Sequence, residues 1–390
     1  MSKYWAYRVA ETLANRVPQA VAYALAIAVV HVLLVLSPGR FAGLRSNLTH
    51  VLGGDVSSRR LRAVVRANAR NLGRSWVDVL RMSRPSPSAR RLDIDGLDIV
   101  TAALQRGRGV VMVSSHLGPW DAGLVAFNAG IGNVAVLAEV VRPHRLFDHL
   151  RGGRARLGVT VIPLDVAAMR EADSSLAARR IGAGALRQVF SVLRGNGTVA
   201  IAMDRDLAGT GVPVEFFGMP TPIPIGVVDI AVRCNAALVP AWSLRQGGRL
   251  CLHALPEIPY DIEAPRDAEV RRVARAALAA FEPVITQNAD QWHVLEPIWT
   301  PQPPVPTRLA ALRYLGPLVI SLFCAALVAA GLSGWGLGLT SVTITPDWWV
   351  RPALGSGLAA LALLALPHAL FWARVNRAAS WQGWAGWRCR

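Results

Sequence analysis

A histidine and an aspartate stand five residues apart, directly after an apolar run at 110–115 that has the pattern of a strand buried on both faces. His116 ends this run, and Gly118 and Pro119 then lead into a helical pattern whose first turn contains Asp121. A neutral imidazole can take a proton near pH 7, and a carboxylate on its second nitrogen fixes the tautomer. The stretch therefore predicts a general base, His116, and its orienting partner, Asp121.

The spacing by itself decides little, because His50 and Asp55 repeat it after a basic amphipathic helix. The surrounding sequence favours the pair His116 and Asp121, which follows a buried strand pattern. A second apolar run, Val199–Met203, likewise ends in charged residues, Asp204 and Arg205. One interpretation is that these charges pair only with one another. The other is that they face His116, because the carboxyl ends of parallel strands meet at one edge of a sheet, where α/β sites lie.

Apolar strand patterns alternate with helix-length segments between about residues 92 and 300. This alternation predicts an α/β fold with a mainly parallel central sheet flanked by helices. The predicted strands are 109–115, 133–139, 159–163, 197–203, 212–217, 237–244 and 249–255, and the predicted helices are 119–129, 144–156, 176–194, 222–235 and 267–288.

The N-terminal region indicates contact with a membrane. Residues 17–39 contain no Asp, Glu, Lys or Arg and are long enough to cross a bilayer, but a helix lying in the interface fits equally well. Residues 41–92 have the pattern of arginine-rich amphipathic helices, for which a solvated face and a face against anionic headgroups both remain open. We assign 1–40 to an N-terminal membrane-associated helix and 41–300 to the α/β domain.

The C-terminal region predicts a transmembrane helical hairpin. A proline-rich linker at 301–313 precedes two uncharged stretches, Leu315–Leu332 and Pro352–Ala373, within a hairpin at 314–374, and a basic tail follows at 375–390. Arginines outside the hairpin outnumber the charges in its connecting loop. The positive-inside rule then places the α/β domain on the cytoplasmic face of a bacterial inner membrane.

Composition narrows the partners. The 390 residues carry a net charge of +17, almost all from arginine, since Lys3 is the only lysine. No nucleic-acid motif accompanies this charge, so an anionic membrane surface is the better interpretation. The four cysteines are scattered, which predicts neither a disulfide framework nor a zinc site, and no other metal site is predicted.

Several segments in order resemble the bacterial lysophospholipid acyltransferase superfamily, in its lipid A late-acyltransferase and phosphatidylinositol mannoside acyltransferase branch. These are HLGPWD with its HX4D pattern, AEVVRPHRLFDHLRGGRARLG, MDRDLAGTGVPVEFFG, PIPIGVVDIAVRCNAALVPAW and DQWHVLEPIW. The resemblance covers roughly residues 40–300 and leaves out the C-terminal hairpin.

The resemblance implies roles for individual residues. His116 matches the base that deprotonates the acceptor hydroxyl, and Asp121 matches the acid that orients it. Arg154 matches an arginine near the active site, and Asp204 falls where the mannoside branch has glutamate, a departure that bears on the choice of acceptor. The donor- and acceptor-binding residues implied in this way are Arg154, Asp204, Arg205, Phe217, Gly218 and Pro224.

The implied activity is transfer of a fatty acyl group from acyl-CoA or acyl-carrier protein, a co-substrate and not a cofactor, to a hydroxyl of a glycolipid or lysophospholipid. Two alternatives stay open: a non-catalytic lipid-binding scaffold and a lipid hydrolase. A hydrolase would need a nucleophile, and Ser114 and Ser115 precede His116 without the Gly-x-Ser-x-Gly elbow. The acceptor, the acyl length and the oligomeric state are not given by the sequence.

Overall fold

The computed structural model describes residues 2–82, 92–172, 174–206, 208–246 and 249–299. The predicted linker at 301–313, the hairpin at 314–374 and the basic tail at 375–390 lie outside the described residues.

Eleven α-helices, nine strands and two short 3-10 helices, Pro38–Phe41 and Ala289–Gln291, are found in the described part of the chain. The helices are α1 Ser2–Arg16, α2 Gln19–Leu36, α3 Ala42–Val51, α4 Ser58–Leu80, α5 Leu97–Gln105, α6 Trp120–Ile131, α7 His144–Ala155, α8 Val166–Arg170, α9 Ser175–Arg194, α10 Gly226–Cys234 and α11 Arg266–Gln287. The strands are β1 Leu92–Asp95, β2 Val110–Ser114, β3 Val134–Glu139, β4 Thr160–Leu164, β5 Thr198–Ala202, β6 Val212–Phe216, β7 Met219–Ile223, β8 Ala237–Gln246 and β9 Arg249–Ala254.

Seven strands form the central sheet in the order β1-β9-β8-β2-β5-β3-β4. Every neighbouring pair is parallel except β8 and β9, so the predicted α/β fold with a mainly parallel sheet is confirmed. β2 lies in the middle with β5 and β8 beside it, and because it is covered on both faces it needs apolar side chains in both directions. Its residues Val110–Val113 are all buried.

Helices cover the two faces of the sheet in separate layers. On one face α5 and α6 pack over Val110, Met112 and Val239, and on the other α9, α10 and α11 pack over Val111 and Val113. The alternation of the β2 side chains between these two cores follows from the period of two in a strand.

Four elements were not predicted, namely β1, β7, α5 and α8. The helix predicted at 222–235 begins only at Gly226, because Met219–Ile223 is strand β7. β7 pairs with β6 in a separate two-stranded antiparallel sheet, where Pro220 and Pro222 lie within the strand. Proline lacks an N–H and is confined to strands with an unpaired edge, so its presence concealed this strand from a pattern search.

The N-terminal helices are part of the folded body. α2 packs along α4, and asparagine side chains of α3 and α4 bond the segment that follows α11. Asn68 donates to the carbonyls of Ala289 and Trp292 at 3.1 and 2.7 Å, and Asn47 donates to that of Glu296 at 2.8 Å. Buried amides matched to backbone carbonyls in this way fix the N-terminal helices against the carboxyl edge of the sheet.

Candidate active site

His116 lies in the short connection between β2 and α6. The next residue, Leu117, is fully buried and forms an isolated bridge with Trp292. Gly118 has φ of +66°, and a Cβ there would lie 2.0 Å from the carbonyl oxygen of Ser243. Only glycine combines this left-handed backbone with so close an approach, so the Gly-Pro turn seen in the sequence places the histidine at the edge of the sheet.

The imidazole of His116 is held by Asp204. Its Nδ1 lies 2.6 Å from Oδ1 of Asp204, and Oδ2 accepts the His116 main-chain N–H at 2.8 Å and the Trp292 indole N–H at 2.8 Å. Because an ionised carboxylate only accepts hydrogen bonds, Nδ1 carries a proton, and the neutral imidazole then has its lone pair on Nε2. His116 lines a cavity, and its side chain is 19% exposed, so this basic nitrogen belongs to a site that substrate can reach.

Opposing influences act on the pKa of Asp204. Complete burial alone raises the pKa of this carboxyl, but the charge and hydrogen bonds of His116, with the hydrogen bond of Trp292, outweigh burial and hold it below the ordinary value. The carboxylate therefore stays ionised at neutral pH, where it stabilises an imidazolium as it forms.

Asp121 has a different partner from the one expected. The hydrogen bond predicted with His116 is absent among the described residues, and Oδ1 of Asp121 instead accepts from Nε of Arg154 at 2.7 Å. The reason is topological: Asp204 follows β5, the strand beside β2, whereas Asp121 starts α6, within reach of α7. The orienting contact assigned to Asp121 is thus corrected to Asp204, while a catalytic role for Asp121 stays a prediction.

The Asp121–Arg154 pair is buried beside the cavity, with side chains 7% and 15% exposed. Burial alone lowers the pKa of Arg154, but the charge and the hydrogen bond of Asp121 raise it by more, so the pKa lies above the ordinary value. Tyr7 of α1 is half-buried near this pair, and burial, followed by the charges of Glu11 and Asp121, raises its pKa. The N-terminal helix therefore contributes to the surroundings of the site.

The structure brings some of the predicted binding residues to the cavity and not others. Arg205 lines it, and its Nη1 pairs with the exposed carboxylate of Glu296 at 2.6 Å. Phe217 and Gly218 form the turn between β6 and β7, and Pro224 follows β7. Within the described residues these three are not part of the cavity lining, and neither is fully buried Asp204. The binding roles of all four stay predictions.

The cavity has a volume of about 450 Å³, within the range of small-molecule sites. Its polar end holds His116, Asp121, Arg154 and Arg205. Its apolar end runs between α6 and the sheet and is lined by Met112, Leu124, Phe127, Val136, Ala200 and Ala241. A cavity with an ionisable end and an apolar end fits an amphipathic substrate.

A second histidine at the site was missed from the sequence. His293 is buried and lines the cavity, and its main-chain N–H donates to the carbonyl of His116 at 2.9 Å. Its Nδ1 donates to Oδ1 of Asn68 at 3.0 Å, because the Asn68 amide nitrogen is already a donor to two carbonyls. Nε2 is buried and has no hydrogen-bond partner among the described residues.

The pKa of His293 is lowered to about 3, by burial first and then by the charge of His116. The ring is therefore neutral at physiological pH, and its lone pair is on Nε2. The only signal in the sequence is a tryptophan and histidine in a segment without periodicity, DQWH, just after a long helix. Such a tryptophan is typical of a core or interface residue, and Trp292 is fully buried, but its bond to Asp204 also ties it to the site.

No metal is assigned to this site. In the described ranges no three His, Cys, Asp or Glu side chains come together as a metal-binding group.

The family model for bacterial lipid A biosynthesis acyltransferases matches residues 1–300. The chain belongs to this acyltransferase family. Three similar relatives carry the name phosphatidylinositol mannoside acyltransferase. Two, from strains CDC 1551 / Oshkosh and ATCC 25618 / H37Rv of Mycobacterium tuberculosis, are each 31% identical over 66% of this chain and 76% of their own length. The third, from Mycolicibacterium smegmatis, is 28% identical over 66% of this chain and 78% of its own length.

Membership of this acyltransferase family identifies the protein as an enzyme that transfers acyl groups in lipid biosynthesis, so the resemblance seen in the sequence is confirmed. Its substrates are lipids and an acyl donor. The match to the family model ends at residue 300 and does not reach the predicted hairpin.

Proposed function

We propose that this acyltransferase moves a fatty acyl group from a thioester, acyl-CoA or acyl-carrier protein, to a hydroxyl of a glycolipid or lysophospholipid at the cytoplasmic face of the inner membrane. The observation that carries the proposal is the geometry of His116, whose Nδ1 is fixed by buried Asp204 while Nε2 keeps its lone pair at an amphipathic cavity. The relatives' printed name makes a phosphatidylinositol mannoside the first acceptor to test.

The proposed reaction is a single displacement through a tetrahedral intermediate. Nε2 of His116 takes the hydroxyl proton as the acceptor oxygen attacks the thioester carbonyl, and a C–O bond forms. The C–S bond then breaks, and the departing thiolate takes the proton from the imidazolium. Asp204 stays ionised throughout and stabilises that imidazolium; positioned base catalysis of this kind contributes roughly 10²–10⁴-fold.

The cavity lining supports the two substrates. The apolar end between α6 and the sheet takes the acyl chain, and the polar end takes the reacting groups. Arg205 is the better phosphate ligand of the two candidate arginines, because its partner Glu296 has a side chain 62% exposed and can turn into solvent. Arg154 is instead committed to buried Asp121.

The position of His293 beside His116 favours a sugar as the group that accepts the acyl chain. Its unpartnered Nε2 can accept a hydrogen bond from a hydroxyl, and His116 needs another hydroxyl as the nucleophile. A sugar ring supplies neighbouring hydroxyls, so one can be deprotonated while the next is held. A buried acceptor left unpaired costs about 1–3 kcal/mol, which favours ligands that satisfy it.

The hydrolase alternative has less support. A serine nucleophile must hydrogen-bond the imidazole, but the Ser114 hydroxyl donates to the Ser115 carbonyl, and the Ser115 hydroxyl is buried without a partner among the described residues. Direct attack by the bound acceptor needs no protein nucleophile.

The test is incubation of the purified full chain with radiolabelled acyl-CoA, or acyl-carrier protein, and a mannoside-containing lipid extract. We expect labelled lipid from the wild type and none from His116→Ala. Labelled free fatty acid without acceptor would show a hydrolase, and no product with either donor would show a scaffold. Full transfer by His116→Ala would refute the mechanism.

A further inference from the structure

Helix α2 is the one described helix long and apolar enough to cross a membrane. Its 18 residues measure about 27 Å at 1.5 Å per residue, close to the hydrocarbon thickness of a bilayer. Length and composition therefore leave open whether α2 crosses the bilayer or lies on it. Its neighbours in the fold decide between these arrangements.

One side of α2 is packed along α4. The Tyr23 hydroxyl donates to Asp78 at 2.7 Å, and a Cβ at Gly73 would lie 3.0–3.1 Å from the α2 backbone at Ala26 and Ile27. Tyr23 and Ile27 belong to successive turns, so the two helices run side by side over this length. The part of α4 beside α2 must therefore lie at the same depth in a bilayer as α2 does.

That part of α4 belongs to the catalytic domain. Asn68 and Asn71 donate to carbonyls of residues 289–292, and Leu72 and Trp76 line the active-site cavity. A bilayer-crossing α2 would therefore take α4 and the edge of the α/β domain into the hydrocarbon with it.

The same part of α4 carries a row of arginines at intervals of four residues, namely Arg62, Arg66, Arg70 and Arg74. None of the four has an ion-pair partner within the described ranges, although burial, followed by the charges of Arg245 and Arg70, lowers the pKa of Arg74. Each arginine placed at the centre of a bilayer costs roughly 2.5–3.5 kcal/mol. Arginines at the level of lipid phosphates instead gain charge-assisted hydrogen bonds.

The outward side of α2 is apolar. Leu25, Val29, Val32 and Leu36 follow one another at intervals of four, three and four residues, which places them on one face of the helix. Val29 and Leu36 are 54% and 43% exposed, and the other two are partly exposed. We call these four residues the outward stripe.

Helix α1, like α2, has one face packed on the protein and an exposed apolar face. Its inner face is fixed to α7, where Glu11 bonds His149 at 3.0 Å, while Trp5, Val9 and Leu13 on its other face are between 56% and 59% exposed. A helix with one face on the protein and an exposed apolar face suits the membrane–water interface.

The geometry points to an in-plane attachment: α2 lies parallel to an anionic phospholipid bilayer and does not cross it. The outward stripe and the exposed face of α1 enter the acyl region of one leaflet, and the α4 arginines reach its phosphates. The occupant of this surface is the bilayer itself, which brings Trp76, an exposed residue of the cavity lining, to the lipid boundary. The inference concerns the mode of attachment and does not depend on the acyl-transfer reaction.

The test is the sidedness of single cysteines in the full chain, with the four native cysteines replaced by serine. Lys3→Cys at the start of α1, off the face of Trp5, Val9 and Leu13, and Arg187→Cys on α9 are both at exposed positions. A membrane-impermeant maleimide is applied to intact spheroplasts and to inverted membrane vesicles. We expect both cysteines to be labelled from the same side, whereas labelling from opposite sides would overturn the inference.

A second measurement asks whether the outward stripe enters lipid. A fluorophore on Val29→Cys should be quenched by phospholipids with brominated acyl chains, and the same fluorophore on Arg187→Cys is the matched control. Equal quenching at both positions contradicts the inference. Thermal unfolding of each labelled variant in detergent verifies the fold, and because neither measurement needs turnover, their failure is distinguishable from that of the acyl-transfer proposal.

Discussion

Replacing Asp204 with asparagine isolates the proposed function of its carboxylate. The two side chains have nearly the same shape, and an asparagine oxygen can still accept from the His116 main chain and the Trp292 indole. What changes is the contact with Nδ1, now 2.6 Å from a carboxylate oxygen. If the amide N–H₂ faces Nδ1, the imidazole proton moves to Nε2, and the lone pair needed as base is lost.

The expected loss follows from the protonation state and not from packing. In serine proteases, a catalytic histidine held in the wrong tautomer lowers kcat by about 10⁴-fold. We expect a fall of roughly 10³–10⁴-fold here, which at about 1.36 kcal/mol per tenfold corresponds to about 4–5.5 kcal/mol. Tm should change little, because the fold keeps two of the three hydrogen bonds of residue 204.

Asp121→Asn is the matched control, since it also neutralises a buried carboxylate at the cavity. It leaves Arg154 with no ionised partner, and an unpaired buried charge costs up to about 3–5 kcal/mol of stability. We therefore expect Asp121→Asn to lower Tm, with a much smaller fall in kcat for the folded fraction.

The assay is single-turnover acyl transfer from radiolabelled acyl-CoA, or from acyl-carrier protein if that is the donor, at saturating acceptor, together with Tm by differential scanning calorimetry. The reasoning fails if Asp204→Asn keeps kcat within about tenfold of wild type, a loss smaller than a positioned base contributes. It also fails if Asp121→Asn loses as much kcat as Asp204→Asn while its Tm is unchanged.

Three further outcomes are expected. The pKa of His293 is about 3 in the folded protein and 6.5 ordinarily, so between these values the unfolded state binds more protons than the folded state. The free energy of unfolding therefore falls as the pH drops through this window, by about 2 kcal/mol at pH 5. The Tm of His293→Gln should fall less than that of the wild type between pH 7 and 5, and equal falls would contradict this. Ala200→Leu and Ala241→Leu fill the apolar end of the cavity and should shift product acyl chains to shorter lengths by mass spectrometry, while unchanged chain lengths would show that the acyl group lies elsewhere. Gly118→Ala combines a clash with the Ser243 carbonyl and the strain of a left-handed backbone, so it should lower Tm. Gly132 has a similar φ of +68° but no atom within 4 Å of the position that a Cβ would take, so Gly132→Ala is the control and should lower Tm much less. Equal decreases in Tm would contradict the close approach at Gly118.

Local patterns in the sequence were enough to predict most of the sheet. β2 and β5 are buried strands with continuous apolar runs, and each ends in the polar residues expected at a site. β7 was not predictable in the same way, because its two prolines suit a hairpin strand outside the main sheet and resemble a loop in sequence.

The partner of His116 depended on strand order, which the sequence does not encode locally. Asp121 is five residues away and Asp204 is 88, and only the adjacency of β2 and β5 brings the distant acid to the imidazole. His293 was less predictable still, because its bond to Asn68 joins residues 225 positions apart on elements without a shared pattern.

The segment 289–293, which crosses the carboxyl edge of the sheet, also has a consequence for biosynthesis. Its backbone bonds the connection after β2 at two points, Gly118 N–H to Gln291 and His293 N–H to His116, and its indole secures Asp204. A ribosome-bound chain that ends before this segment contains β2, β5, His116 and Asp204. It lacks the hydrogen bonds by which residues 289–293 hold His116 and Asp204 in place. The active site is therefore completed late in the synthesis of the α/β domain, and a product terminated before residue 289 has the histidine without a complete pocket.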